Sequence, residues 1–105
     1  MEHTSLDELE IQKRNDEFRR LGAYRFTKVV SGLMNEYGLI VTIAFYNDFH
    51  EGNDPYREHD FGSLMWEGKK IFWKIDYYDQ NLKFWADPTT DACRRVLTVM
   101  LAEEY

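Results

Sequence analysis

One cysteine, Cys93, stands in a chain of 105 residues, which excludes an internal disulfide and leaves too few thiolates for a structural zinc site. No stretch approaches the roughly 18 consecutive apolar residues of a membrane span. The N-terminus, Met1-Glu2-His3-Thr4, lacks the basic-then-apolar order of a secretory signal, and the expected location is cytoplasmic. Internal repeats, low-complexity stretches and linkers are also missing, so one domain over residues 1–105 is expected. At this length a chain buries roughly two-thirds of its unfolded surface and folds without covalent staples. Basic residues are the minority, 13 Lys and Arg against 19 Asp and Glu, and the net charge of -6 disfavours nucleic acid as a partner.

Aromatic side chains are abundant at 16%, and the charge is uneven. Between Asp48 and Asp60 five acids (Asp48, Glu51, Asp54, Glu58 and Asp60) face one base, Arg57, which places -4 of the -6 in that segment. Its second half, Gly52 to Gly62, opens with the turn residues Gly-Asn-Asp-Pro and leads directly into an apolar run, which predicts an ordered loop. As an acidic pole it favours cations, either a metal or a basic protein surface.

Ser5-Leu6-Asp7-Glu8 has the S-x-x-E form of a capping box, and Leu6, Leu9, Phe18 and Leu21 recur near helical spacing before Gly22. A helix over Leu6 to Leu21 follows, lightly buried because Gln12 to Glu17 is polar on every side. Tyr24 to Lys28, followed by Val29-Val30, suits a short strand that Ser31-Gly32 breaks. Leu33 to Phe49 can be read either way. Leu39 to Ile43 is rich in β-branched residues, yet Leu33, Tyr37, Val41, Phe45 and Phe49 fall at i, i+4, and length favours a helix.

Beyond the loop, Phe61 to Trp66 and Lys69 to Tyr78 predict a hairpin whose three-residue turn closes on a left-handed Gly68. Alternation puts Ile71, Trp73, Ile75 and Tyr77 on one face and Lys70, Phe72, Lys74, Asp76 and Tyr78 on the other. Asp79-Gln80-Asn81 reads as a turn before a third strand, Leu82 to Ala86. Asp87-Pro88 then reads as the start of a final helix ending near Glu103, with Ala92, Cys93, Val96, Leu97, Met100 and Leu101 as its apolar stripe. The expected fold class is α+β: a small antiparallel meander of three strands, or four if Tyr24 to Lys28 joins, packed against two or three helices.

Asn53-Asp54-Pro55-Tyr56-Arg57-Glu58-His59-Asp60-Phe61-Gly62, Phe72-Trp73-Lys74-Ile75-Asp76-Tyr77-Tyr78-Asp79 and the ending Arg95 to Tyr105 resemble a small bacterial family of unknown function. Its pattern is N-D-P-[YH]-G-E-H-D-F-G, F-W-K-I-D-Y-Y-D and R-V-L-T-x-M-L-A-x-E-Y, with N-D-x-F-R near the start, here Asn15 to Arg19. Its members look like accessory genes of plasmids and other mobile elements, which implies small regulators, inhibitors or anti-defence factors of the anti-CRISPR or anti-restriction kind. Arg57 stands where the pattern has glycine, so a left-handed backbone is not expected there.

Four kinds of chemistry fit these residues. A metal site could draw on His50, Glu51, Asp54, Glu58, His59 and Asp60, with His50, Glu58, His59 and Asp60 as the core of a hydrolase. Against it, H-E-x-x-H is absent and an EF-hand pattern begun at Asn47 has Phe49 at a ligand position. The plainer account is a self-capped loop whose carboxylates accept backbone amides and pair with Arg57. His59 could serve in acid-base catalysis, but Ser63 has no nucleophile elbow and Cys93 sits among apolar residues. It could equally pin the loop through a hydrogen bond. Lys70, Phe72, Lys74 and Tyr78, with Lys83 and Trp85 beside them, could bind single-stranded nucleic acid, or could simply cover apolar surface.

Protein binding is the remaining class and the one favoured. Three Trp and seven Tyr exceed what so small a core hides. The reading is a non-catalytic, acidic binding or inhibitory module needing no cofactor, and it leans away from an enzyme. Asp54, Glu58, His59 and Asp60 would present charge, and Tyr56, Trp66 and Trp85 would anchor. The partner would carry a basic surface, as a nucleic-acid-processing enzyme does, with a homodimer as the plainer alternative.

Overall fold

A computed structural model describes residues 5–22, 24–27 and 36–105. Helix α1 spans Leu6–Leu21 and α2 Glu36–Ala44, while strands run Tyr24–Phe26 (β1), Phe61–Trp66 (β2), Lys69–Tyr78 (β3) and Arg94–Leu101 (β4), with a short 3-10 turn at Ala102–Glu104. The capping box at Ser5 forms in both directions, the Glu8 amide donating to Ser5 Oγ at 3.0 Å and the Ser5 amide to Glu8 Oε1 at 2.7 Å. Of the stretch expected as a helix over 33–49, Glu36–Ala44 is helical and residues 45–49 are not. Leu33, Lys28, Val29-Val30 and Ser31-Gly32 lie outside the described residues.

The strands form one mixed sheet in the order β1-β4-β3-β2. β2, β3 and β4 make the expected antiparallel meander, and β1 joins as a fourth strand, parallel to β4, with Tyr24 opposite Leu97 and Phe26 opposite Val99. Trp66 pairs with Lys69, so the hairpin turn has two residues instead of three, and both Glu67 and Gly68 are left-handed (φ 50 and 78). That is the twist a two-residue hairpin loop requires.

Two expected elements are corrected. Leu82 to Ala86 is not a strand. Asp79 Oδ1 accepts the amides of Asn81 and Lys83 (3.1 and 3.0 Å) and the Asp79 amide donates to the Phe84 carbonyl, closing the segment into a local turn. The final helix is likewise absent. Asp87 takes the Thr89 amide and hydroxyl on Oδ1 (2.9 and 2.8 Å) and the Thr90 amide on its carbonyl, so N-cap chemistry builds a turn, and Arg94–Leu101 becomes β4. Apolar residues on both faces of this strand mimic a helical stripe, because a central strand is covered on both sides.

One sheet face carries the core. Ile71, Trp73, Ile75, Leu97, Val99 and Leu101 pack against Leu39 and Ile43 of α2, with Phe18 of α1 and Tyr46 and Phe49 at the margin. On the other face Phe61, Phe72 and Tyr105 form an edge-to-face trio with centroids 5.0 to 5.8 Å apart. α1 is more deeply seated than its polar middle suggests: Asn15 is 0% and Arg19 1% exposed. No described helix is long and apolar enough to cross a membrane.

Candidate functional site

The segment from Phe45 to Asp60 crosses between α2 and β2 and is organised by Asp54. The Asp54 carboxylate, 6% exposed, accepts the amides of Glu58 (2.9 Å) and His59 (3.1 and 3.2 Å), its amide donates to the His50 carbonyl, and its carbonyl accepts the Arg57 amide. Asn53 repeats the device one residue earlier, taking the His50 amide on Oδ1 and donating to the Asp48 carbonyl. Wrapping the chain this tightly around one carboxylate puts Arg57 and His59 in the left-handed region (φ 56 for both). Arg57 therefore adopts the conformation for which glycine is the easier residue, contrary to the expectation from its side chain.

Glu8, Gln12, Asn15, Asp16 and Arg19 of α1 reach this loop, Gln12 Nε2 donating to the Arg57 carbonyl at 2.8 Å. Asn15 Nδ2 donates to the Glu58 carbonyl (2.8 Å) and to the Tyr77 hydroxyl (2.9 Å), and the Tyr77 hydroxyl donates to Glu58 Oε1 (2.7 Å). Arg95 of β4 completes the group by donating to Asn15 Oδ1 and to the Pro88 carbonyl. Asp16 Oδ1 lies 3.1 Å from His59 Nδ1 and accepts from Arg19 Nη1 at 2.7 Å. The His59 ring stacks on Phe49, with centroids 3.9 Å apart and planes 4° from parallel. Arg19 donates to the carbonyls of Ile43 and Tyr46 (3.1 Å each), and its guanidinium lies over the rings of Phe49 and Trp73 at 5.3 and 5.2 Å.

Burial pushes the Asp16 carboxyl up, but the hydrogen bonds from His59 and Arg19 outweigh it and leave it below the ordinary carboxylate value. Tyr77 is raised by burial and by its bond to Glu58. Burial, reinforced by Glu58 and Asp54, pushes Asp60 up to about 6. The folded chain thus keeps a proton on Asp60 that the unfolded chain has released between about pH 4 and pH 6, and stability falls as pH rises through that window. Discounted for partial exposure, the loss is of order 2 kcal/mol. Asp60→Asn should flatten this slope, making the variant more stable than the parent at pH 7.5 but not at pH 4.5 in urea titrations. A parallel pH dependence in both chains would contradict it. Asp16 acts in the opposite sense and only below about pH 4, outside that window.

The acids expected to face outward largely do not. Asp54 is buried against backbone amides, Glu58 is bonded to Tyr77, and Asp60 is only partly exposed; Asp48 and Glu51 remain on the surface. Arg57, expected to pair with loop carboxylates, lies 3.9 Å from Glu8 of α1. His50 accepts the Gly52 amide on Nδ1 and stays apart from the His59 group. Among the described residues no three His, Cys, Asp or Glu side chains gather in a way that could hold a metal, so the proposed ligand set does not converge.

Of the expected anchors, Tyr56 is 76% and Trp85 69% exposed, whereas Trp66 packs against the core margin. The nucleic-acid platform is broken up: Lys74 pairs with Asp76 at 2.9 Å, the Phe72 ring is engaged by Phe61 and Tyr105, and Lys83 and Trp85 are on a turn. Cys93 precedes β4 instead of lying on a helix, and burial raises its thiol. Asn15, Asp16 and Arg19 were not foreseen as site residues, although Asn15 to Arg19 had stood out as a motif and their spacing puts Asn15 and Arg19 on one helix face. No curated protein and no solved structure matches the chain. The matching family model covers residues 26–104, beginning after α1, and the chain belongs to the family it describes, protein of unknown function (DUF3768).

Proposed function

We propose that this protein is a non-catalytic protein-binding module whose contact surface is the turn at residues 79–85. The observation that carries the reading is the pair Phe84 and Trp85, 72% and 69% exposed on a turn that Asp79 ties at four points. Adjacent large aromatics held on a rigid turn lose little freedom on binding, and tryptophan is the commonest interface anchor. The acid-rich loop supports the same reading, because Asp54, Glu58 and His59 are engaged in holding α1, β3 and the loop together. Asp48 and Glu51 leave a smaller acidic patch toward a basic partner. The resemblance to bacterial mobile-element genes gives the proposal its setting, a cytoplasmic inhibitor of a host defence or nucleic-acid-processing protein.

A photoreactive phenylalanine analogue at position 84, illuminated in the producing cell, should give one discrete heavier adduct. Trp85→Ala should weaken that contact by about 2 kcal/mol, roughly 30-fold, and remove the adduct while leaving the melting transition in place. An adduct of twice the chain mass makes the partner a second copy. Absence of any adduct, or adducts indifferent to Trp85, would count against the proposal.

A further inference from the structure

A groove of about 690 Å³ opens between α1, the 79–85 turn and the start of β4. Among the described residues β1 meets β4 from Leu97 to Val99, and Arg94, Arg95 and Val96 have no neighbouring described strand on that side. A strand edge with no described strand beside it offers backbone donors and acceptors to an added strand. One wall of the groove is α1, which contributes Phe18 and the 86% exposed Leu21; the other is the 79–85 turn, which contributes Gln80 and Leu82.

The charge in this groove runs against that of the molecule. Four arginines line it, at positions 14, 25, 94 and 95, against one acid, Glu17, in a chain of net charge -6. Two of them are already committed: Arg14 pairs with Glu10 and Asp91 at 2.8 and 3.1 Å, and Arg95 is bound to Asn15 and the Pro88 carbonyl. Arg25 and Arg94 are exposed and make no ion pair among the described residues.

Their placement sets the shape of the ligand. Arg25 stands opposite Thr98, and Arg94 lies four residues earlier on β4, hence on the same sheet face. At about 3.3 Å per residue the two positions are about 13 Å apart along the strand, too far for one small anion to bridge. A strand laid beside Arg94 to Val96 would turn alternate side chains to opposite faces. One set would meet Arg25 and Arg94, and the other would meet Phe18, Leu21 and Tyr24, which lie on the α1 side.

We infer that this groove takes an extended acidic segment of a partner polypeptide, added as a strand beside Arg94 to Val96 of β4, with acids at alternate positions facing Arg25 and Arg94 and apolar side chains facing α1. This rests on the reading of the chain as a protein-binding module and names the chemistry of the one partner segment that enters this groove, apart from the basic surface that meets Asp48 and Glu51. A nucleic acid strand supplies the negative charge but not the backbone pairing or the alternating apolar side chains, and it meets the net repulsion of the whole chain.

The test is a titration of the full chain, followed by amide chemical shifts, with a blocked heptapeptide alternating glutamate and valine. Three comparison ligands go with it: the lysine-valine counterpart, a peptide of the same composition with its glutamates and valines in separate blocks, and heptathymidylate. Shifts should concentrate at Arg25, Gln80, Leu82 and Arg94 to Val96 with the alternating acidic peptide. The double variant Arg25→Glu, Arg94→Glu, both exposed sites, should bind that peptide at least about tenfold more weakly and gain response to the lysine-valine peptide. No shift at those amides, an equal response to the block peptide, or an equal response to heptathymidylate would each overturn the inference. If the position-84 adduct persists in the double variant while the peptide moves nothing, only the acidic-strand inference falls. If both are absent, the binding-module reading falls with it.

Discussion

Replacing Arg19 by alanine should cost about 3–5 kcal/mol of folding stability, enough to unfold much of a domain whose total is of order 5–15 kcal/mol. The side chain is 1% exposed and satisfies three acceptors at once, Asp16 and the carbonyls of Ile43 and Tyr46. Truncation leaves the Tyr46 carbonyl without this donor, while the Ile43 carbonyl keeps the Tyr46 amide and Asp16 keeps His59, and it removes a plane lying over the rings of Phe49 and Trp73. Those carbonyls belong to the end of α2 and the start of the loop, so α1, α2 and the loop should loosen together. Arg19→Lys tests the geometry apart from the charge. An ammonium cannot reproduce a planar fork, so that variant should lie between the two, about 2 kcal/mol below the parent. Urea unfolding monitored by the buried Trp73 measures both variants. A loss under about 1 kcal/mol for alanine would mean that the network is a passenger of the apolar packing.

Removing the Asp54 carboxylate should have the second-largest effect, about 2–3 kcal/mol for Asp54→Ala. The carboxylate collects the amides of Glu58 and His59, and those bonds hold Arg57 and His59 in a backbone region that each would otherwise leave. Once they are released, His59 should swing away from Asp16 and Phe49, and Glu58 away from Asn15 and Tyr77. Asp54→Asn keeps one acceptor and should cost about half as much. Hydrogen exchange separates a local from a global effect: the amides of Glu58 and His59 should lose protection beyond the general decrease in the sheet. Uniform loss across all strands, with nothing extra at those two amides, would show that Asp54 does not organise the loop.

Both predictions describe a segment whose chemical appearance misleads. Histidine flanked by glutamate and aspartate in a charge-dense loop looks like catalysis or metal binding. In the folded chain His59 meets Asp16 of α1 and Glu58 meets Tyr77 of β3, while Asp60 is half-buried and held closer to its neutral form. The polar middle of α1 likewise looks solvated, although Asn15 and Arg19 are buried because the loop and the sheet bring carbonyls and hydroxyls to them.

The sequence by itself determined what depends on near neighbours. The capping box fixed the start of α1, strict alternation fixed both faces of β3, and Glu67-Gly68 fixed where the hairpin turns though not the length of its turn, because each is decided within a few residues. Tertiary structure decided whatever depended on remote partners. Arg94–Leu101 carries apolar residues compatible with either helix or strand, and only the open edge of β3 and the parallel β1 made it a strand. The direction in which Asp54 and Glu58 face was settled in the same way: each carboxylate turns inward where folding delivers donors to replace water, and those donors lie far away in the chain or on backbone bent into an uncommon conformation.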